Sequence, residues 1–302
     1  MLTKLEIFSE LVVLPHSVFA LPFALVALLA ATGGKPPLSV LFWVVVCMVL
    51  ARTAAMAYNR LVDADLDARN PRTKDRPIPS GRMTKTQVRI LVWVSGILFV
   101  LAASRLNPLA FKLSPVALAV VLAYSHMKRF TWVTHLFLGF ALGIAPVGAW
   151  IAATGRFEWT PVWLTAAVVC FVGGFDILYA TQDEAIDRKE GLHSWVVQWG
   201  VPKSLLASRL LHALMIGFLG GFGAQFDWGS FYYAGLALLA GVLYYLHHTQ
   251  YGFNYVNGVP TFYLQPAMMR LNGYVALLYL FVAGSQIWLF KKRNVKRLPF
   301  AT

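Results

Sequence analysis

Residues 38–67 read LSVLFWVVVCMVLARTAAMAYNRLVDADLD. An apolar run passes without a break into Asn59-Arg60-Leu61-Val62-Asp63-Ala64-Asp65-Leu66-Asp67. The run is long enough to cross a bilayer, which takes about 20 residues of helix. Lipid offers no partners to backbone N–H and C=O groups, so a continuous span of this length is expected to be helical. Positions four apart share a helix face. Asn59, Asp63 and Asp67 therefore form one polar stripe where the span meets the membrane edge. Carboxylates beside a bilayer are costly and tend to mark function. The bland alternative is a solvated helix end, against which the ordered spacing argues.

Similar runs recur along all 302 residues, of which 58% are hydrophobic and 13% charged, with a mean hydropathy of +0.62. A soluble domain carries about 25% charged residues. Nine spans are expected, near 11–32, 38–58, 87–104, 109–125, 131–153, 160–180, 205–223, 231–247 and 271–290. The fold class is all-α integral membrane, a single domain over 1–302. A weak repeat divides it into halves of about 1–130 and 131–302. Cys47 and Cys170 lie inside apolar runs and read as packed small hydrophobes. The first apolar stretch lacks a signal-peptidase pattern and reads as a span.

The formal net charge is +13. In a soluble chain that would suggest nucleic acid. Here the cations crowd short loops between spans, where the positive-inside rule and lipid headgroups place them, so membrane lipid is the expected partner and nucleic acid is not. The loops after spans two, four, six and eight, with the N-terminus, hold most of them. The opposite loops hold only Lys35, Arg105, Lys112 and Arg156. The first set is expected in the cytoplasm. The basic tail from Lys291 to Arg297 disagrees, and the earlier loops are taken to outvote it.

Nine of the 13 acidic residues fall in two segments: Asp63, Asp65, Asp67, Asp75, and Asp176, Asp183, Glu184, Asp187, Glu190. Asp183 and Asp187 repeat the four-residue spacing at the end of the sixth span. Mg²⁺ prefers carboxylate and phosphate oxygens and keeps several waters. Two facing carboxylate stripes would hold Mg²⁺ that grips a diphosphate. No His or Cys clusters there, so zinc is not expected.

The loop after the first stripe runs Arg69-Asn70-Pro71-Arg72-Thr73-Lys74-Asp75-Arg76-Pro77-Ile78-Pro79-Ser80-Gly81. Arginine matches phosphate geometry and lysine acts as a point charge. Arg72, Lys74 and Arg76 are candidates for substrate binding; a topology-fixing anchor loop is the alternative. Tyr124 and Lys128 share a face at the end of span four, followed by Arg129, and could reach a phosphate there. Taken alone they also fit an interfacial aromatic belt. Asp176 sits just inside the membrane edge. His16, in the first span, is a candidate for acceptor binding or a core histidine. Thr249–Arg270, rich in Tyr, Phe and Asn, either covers the site or lies in the interface.

Together these residues resemble the UbiA family of intramembrane prenyltransferases. Its Asn-x-x-x-Asp-x-x-x-Asp motif is matched at Asn59, Asp63 and Asp67, and its second Asp-x-x-x-Asp at Asp183 and Asp187. The stretch ending in Arg76-Pro77-Ile78-Pro79-Ser80-Gly81 and the pair Tyr124/Lys128 match further elements, and Asp176 sits as a further family Asp does. Within the family the chain looks most like 4-hydroxybenzoate polyprenyltransferases and relatives in quinone synthesis. The resemblance implies Mg²⁺ held by Asn59, Asp63, Asp67, Asp183 and Asp187. It implies a polyprenyl diphosphate donor and a small aromatic acceptor, which attacks the allylic carbocation left when the C–O bond breaks. Lys74, Arg76, Lys128 and Arg129 would stabilise the leaving charge. Asp176 would orient the acceptor or assist proton removal, unless it only bonds a neighbouring helix. Asp65 and Glu184 are extra acids that leave the ligand set open. The expected location is a bacterial inner membrane with the site facing the cytoplasm.

Two rivals are weighed. A transporter with an acidic substrate or ion site would place its acids near the midplane on broken helices, whereas these crowd one edge. A CDP-alcohol phosphotransferase would carry Asp-Gly-x-x-Ala-Arg, which is absent.

Overall fold

The computed structural model describes residues 4–12, 20–249, 251–256, 259–264 and 267–289. The chain order is α1 Lys4–Val12, α2 Leu21–Ala31, α3 Leu38–Val62, α4 Ala64–Arg69, α5 Lys85–Ala103, α6 Pro108–Met127 and α7 Thr134–Thr154. There follow α8 Val162–Ala180, α9 Glu184–Lys189, α10 Trp195–Ala224, α11 Ser230–Thr249, the strands β1 Tyr251–Val256 and β2 Val259–Leu264, and α12 Ala267–Leu289. Their limits follow local chemistry. Thr84 closes a capping box with Gln87 before α5. Asn107 accepts from the Ala110 N–H before α6. Gly155 takes φ +72° to end α7, a left-handed conformation that glycine adopts without strain.

Among the described residues, seven helices are long and apolar enough to cross a membrane: α3, α5, α6, α7, α8, α10 and α12 from Asn272. Two of the nine expected spans, the first and the eighth, are not among these seven. In the first, the described helix α2 has only 11 residues. The eighth, α11, has the length, but Tyr232, Tyr233, Tyr244, Tyr245, His247 and His248 dilute its apolar character. The fold is also not purely helical. Part of the Thr249–Arg270 stretch forms an antiparallel hairpin, with Tyr251 opposite Leu264 and Val256 opposite Val259. His16 and the basic tail lie outside the described residues.

Helix α8 packs between α7 and α10, at the heart of the main core with α2, α11 and α12. Small residues permit that closeness, as in many membrane bundles. A Cβ on Gly139 would lie 2.5 Å from the Val169 carbonyl oxygen, and Thr165 donates to the Gly143 carbonyl at 2.6 Å. Helix α1 docks on α3 and α5 through Leu11, Ala57, Val88 and Val92. Cys47 and Cys170 are buried and free.

Candidate active site

Both acidic segments are built alike, and not as one continuous helix. α3 stops at Asp63, whose backbone turns to φ −91°, ψ 3°, and the six-residue α4 restarts at Ala64. The Asp67 N–H bonds the Asp63 carbonyl at 2.8 Å. α8 gives way to Asp183 at φ −106°, ψ 2°, and the six-residue α9 follows, with the Asp187 N–H on the Asp183 carbonyl at 2.8 Å. The i, i+4 relation therefore survives through one turn after a break, and it sets the two carboxylates of each segment side by side.

The two segments meet across one cavity of ≈ 240 Å³. Asn59, Asp63, Asp67, Arg72, Arg76, Tyr124, Lys128, Asp176, Asp183 and Asp187 all line it. The loop after the first segment bridges directly to the second: Asn70 Nδ2 donates to Asp183 Oδ1 at 3.2 Å and Arg72 Nε at 3.0 Å. Arg69 pairs with Glu190 at 2.7 Å. The His193 N–H bonds the Lys128 carbonyl at 2.7 Å and ties the loop beyond α9 to the end of α6.

Each acid of the first segment is neutralised. Asp63, 4% exposed, meets Lys128 Nζ and an Arg129 guanidinium nitrogen, both at 3.0 Å, and Asn59 Nδ2 at 3.2 Å. Asp67, 7% exposed, meets Arg76 at 2.8 Å through Oδ1. Its Oδ2 is buried with no partner. Arg60 Nε and Arg129 Nη1 are likewise buried and unpartnered. Orphaned acceptors beside orphaned donors fit a site for a cation and an anion together, since buried polar groups are normally paired. Asp187 is different. Burial pushes its carboxyl up to about 6, against the pull of Lys128 and with a further push from Asp183.

The extra acids point elsewhere. Asp65 pairs with Lys85 at 2.8 Å on the surface, and that hydrogen bond holds it below the usual carboxylate range. Glu184 pairs with Arg188, one turn along α9, at 3.1 Å. Lys74 is exposed and does not line the cavity. Among the described residues no three His, Cys, Asp or Glu side chains close into a ready-made cage. Mg²⁺ needs none, because it binds through one or two carboxylates, water and substrate phosphate.

Sequence reasoning passed over three residues. His135, at the start of α7, lines the cavity and holds Asp176 at 2.7 Å. Arg60 lines it from α3, and Arg52 stands two turns earlier on that helix with a buried, unpartnered Nε. Their signal was present: ionisable residues inside apolar spans. Arg52 belongs to a second cavity of ≈ 280 Å³ between α3, α5, α6 and α7, otherwise lined by groups such as Met48, Phe99, Leu113 and Leu142.

The pattern of the UbiA prenyltransferase family matches residues 20–263. A 4-hydroxybenzoate octaprenyltransferase of Vibrio campbellii is 32% identical over 223 residues, covering 74% of this chain and 78% of the relative. One from Shewanella sediminis is 34% identical over 222 residues, covering 73% and 77%. Among solved structures, the apo form of a UbiA homolog from Aeropyrum pernix K1 superposes with a TM-score of 0.76 at 28% identity, over 91% of this chain and 98% of that one. A UbiA homolog from Archaeoglobus fulgidus bound to DMAPP and Mg²⁺ shares the fold, with a TM-score of 0.71 at 16% identity over 93% and 99%.

Proposed function

The chain belongs to the UbiA prenyltransferase family, and from that premise we propose that it transfers a polyprenyl group from polyprenyl diphosphate to 4-hydroxybenzoate or a related aromatic quinone precursor. The observation that carries this reading is the joining of two acidic segments and their cations around one cavity at one end of the bundle. A transporter would need such groups midway along the helices.

Asn59, Asp63, Asp67, Asp183 and Asp187 are the groups that would hold Mg²⁺, and their oxygen donors fit it. Bound there, the metal would neutralise the diphosphate and ease its departure as leaving group. Lys128, Arg129, Arg72 and Arg76 already sit on the carboxylates. With Mg²⁺ held by the carboxylates, these side chains would be available to the phosphate oxygens. Such fixed charge, aimed where negative charge develops, is commonly the largest catalytic contribution.

The tail has a place close by. Arg52 and Asn59 are seven residues apart on one face of α3, roughly 10 Å. The apolar cavity at Arg52 therefore lies about two turns of α3 from the polar one, which Tyr124 lines. The unpartnered Nε groups of Arg52 and Arg60 suit the carboxylate of an aromatic acid. Relatives bearing the octaprenyltransferase name are bacterial, which supports a bacterial inner membrane. The cations gathered at the site end support a cytoplasmic face for it.

The test is incubation of the purified protein with labelled polyprenyl diphosphate and a panel of hydroxylated benzoic and naphthoic acids, with Mg²⁺ or with EDTA. Label is expected in a prenylated aromatic acid with Mg²⁺ alone. Transfer that persists in EDTA, or no product with any acid, refutes the reading.

A further inference from the structure

Asp176 and His135 face each other inside the polar cavity, on α8 and α7. His135 Nδ1 and Asp176 Oδ2 are 2.7 Å apart. The other ring nitrogen, Nε2, accepts a hydrogen bond from the backbone N–H of Trp195 at 3.2 Å. A backbone N–H can only donate, so Nε2 carries no proton. The imidazole is then the neutral tautomer protonated at Nδ1, and Nδ1–H donates to Asp176.

The Trp195 N–H belongs to the first turn of α10, where helical N–H groups lack partners of their own. Ser194 supplies one of those partners, accepting from the Val197 N–H at 3.1 Å. His135 supplies another. Burial fixes the arrangement: the His135 side chain keeps 4% of its surface, whereas Asp176 keeps 28%, open to the cavity.

We propose that His135 is a positioning residue for prenyl transfer, locking Asp176 as a carboxylate with one oxygen tied down and the other turned to the acceptor. This rests on the prenyl-transfer reading above. In that reaction the acceptor ring carbon bonds to the allylic C1 as the C1–O bond to diphosphate breaks. The hydrogen on that ring carbon then leaves as a proton to the free oxygen of Asp176, and the C–H electron pair restores the aromatic ring. His135 neither gains nor loses a proton. It keeps the carboxylate from rotating away and from reaching over to the metal-binding acids. Tyr124 and Tyr179 line the same cavity.

The experiment compares four forms of the full-length enzyme in lipid nanodiscs: His135→Leu, His135→Asn, Asp176→Asn, and the double variant His135→Leu/Asp176→Asn. kcat is read at saturating donor, and affinity for Mg²⁺ with prenyl diphosphate is read separately by calorimetry. His135→Leu removes the donor and is expected to lower kcat about a hundred-fold, the scale of a misplaced catalytic group, with donor affinity unchanged. His135→Asn puts an amide N–H near the place of Nδ1 and is expected to restore kcat to within about five-fold of wild type. The double variant is expected to be no worse than Asp176→Asn, because groups acting through one another are non-additive.

Unchanged kcat in His135→Leu overturns the proposal. So do losses that multiply in the double variant, or an Asn variant as impaired as the Leu variant. Should His135→Leu fail to accumulate, His135→Ala, alone and combined with Asp176→Asn, carries the same cycle. Failure of the wild-type enzyme to prenylate any aromatic acid would strike the functional reading itself, not this refinement of it.

Discussion

At the end of α3 and at the end of α8 the chain does the same thing. A long apolar helix ends, α3 at Asp63 itself and α8 at Ala180 just before Asp183, and the six-residue helix that each of these aspartates caps carries a second aspartate one turn on. The surroundings differ. Asp63 and Asp67 are almost fully buried and compensated by Lys128, Arg129 and Arg76. Asp183 and Asp187 are only partly buried, and α9 has no fully buried residue. Asp183 is held by Asn70 and Arg72 from the first segment, and burial, with a further push from Asp183, holds the Asp187 carboxyl up at about 6. Equal local geometry thus yields unequal tasks. The first segment is the more deeply buried and charge-compensated side of the cavity, and the second is the more open side.

Mutations can break that contrast. Asp67→Asn is expected to have the largest effect, lowering kcat/KM on the order of 10³-fold, the scale of losing a preorganised charge contact. Asp63→Asn should match it and also lower Tm, since Lys128 and Arg129 would lose their shared partner. An assay of prenyl transfer beside a melting curve checks both. Activity surviving at a tenth of wild type would mean the first segment is only structural.

Asp187→Asn is next. The Mg²⁺ concentration for half-maximal activity should rise about 10–100-fold, read from a metal titration. Tm of the metal-free protein should not fall, because the change removes a carboxylate that burial already disfavours. A drop in Tm would show that Asp187 is structurally compensated after all, and the two segments would then be alike.

Arg72→Ala tests the bridge. KM for the diphosphate should rise about ten-fold, with little change in Tm, because Arg72 is half exposed and its pair with Asp183 is well screened. The smallest effects are expected from Asp65→Asn and Glu184→Gln, whose carboxylates are paired outside the cavity. Both variants should keep prenyl transfer within about two-fold of wild type. A large loss from either would move the metal site onto the outer faces of α4 and α9.

Much of this was legible in the chain. The apolar runs announced the long helices α3, α5, α6, α7, α8 and α10, because length in lipid leaves few alternatives. The paired acids at span ends announced the cavity, because ions are tolerated there only for a reason. Less legible was the helix break at each first aspartate, since Asp63 and Asp183 interrupt no sequence pattern. The apolar run near 231–247 also foretold the helix α11, though its tyrosines and histidines leave it less apolar than the seven long spans. His135 was missed because a single histidine carries no spacing; only its partner on another helix gives it meaning.

Composition and periodicity by themselves determined that the chain is a bundle of apolar helices with its acids gathered at their ends, since those properties depend only on neighbours along the chain and on the solvent around it. The tertiary structure alone decided which carboxylates are compensated, that Arg72 reaches Asp183, and that Trp195 sets the tautomer of His135. The last two contacts join residues 111 and 60 positions apart. A one-dimensional pattern holds no record of which helix end faces which, and charge acts through space.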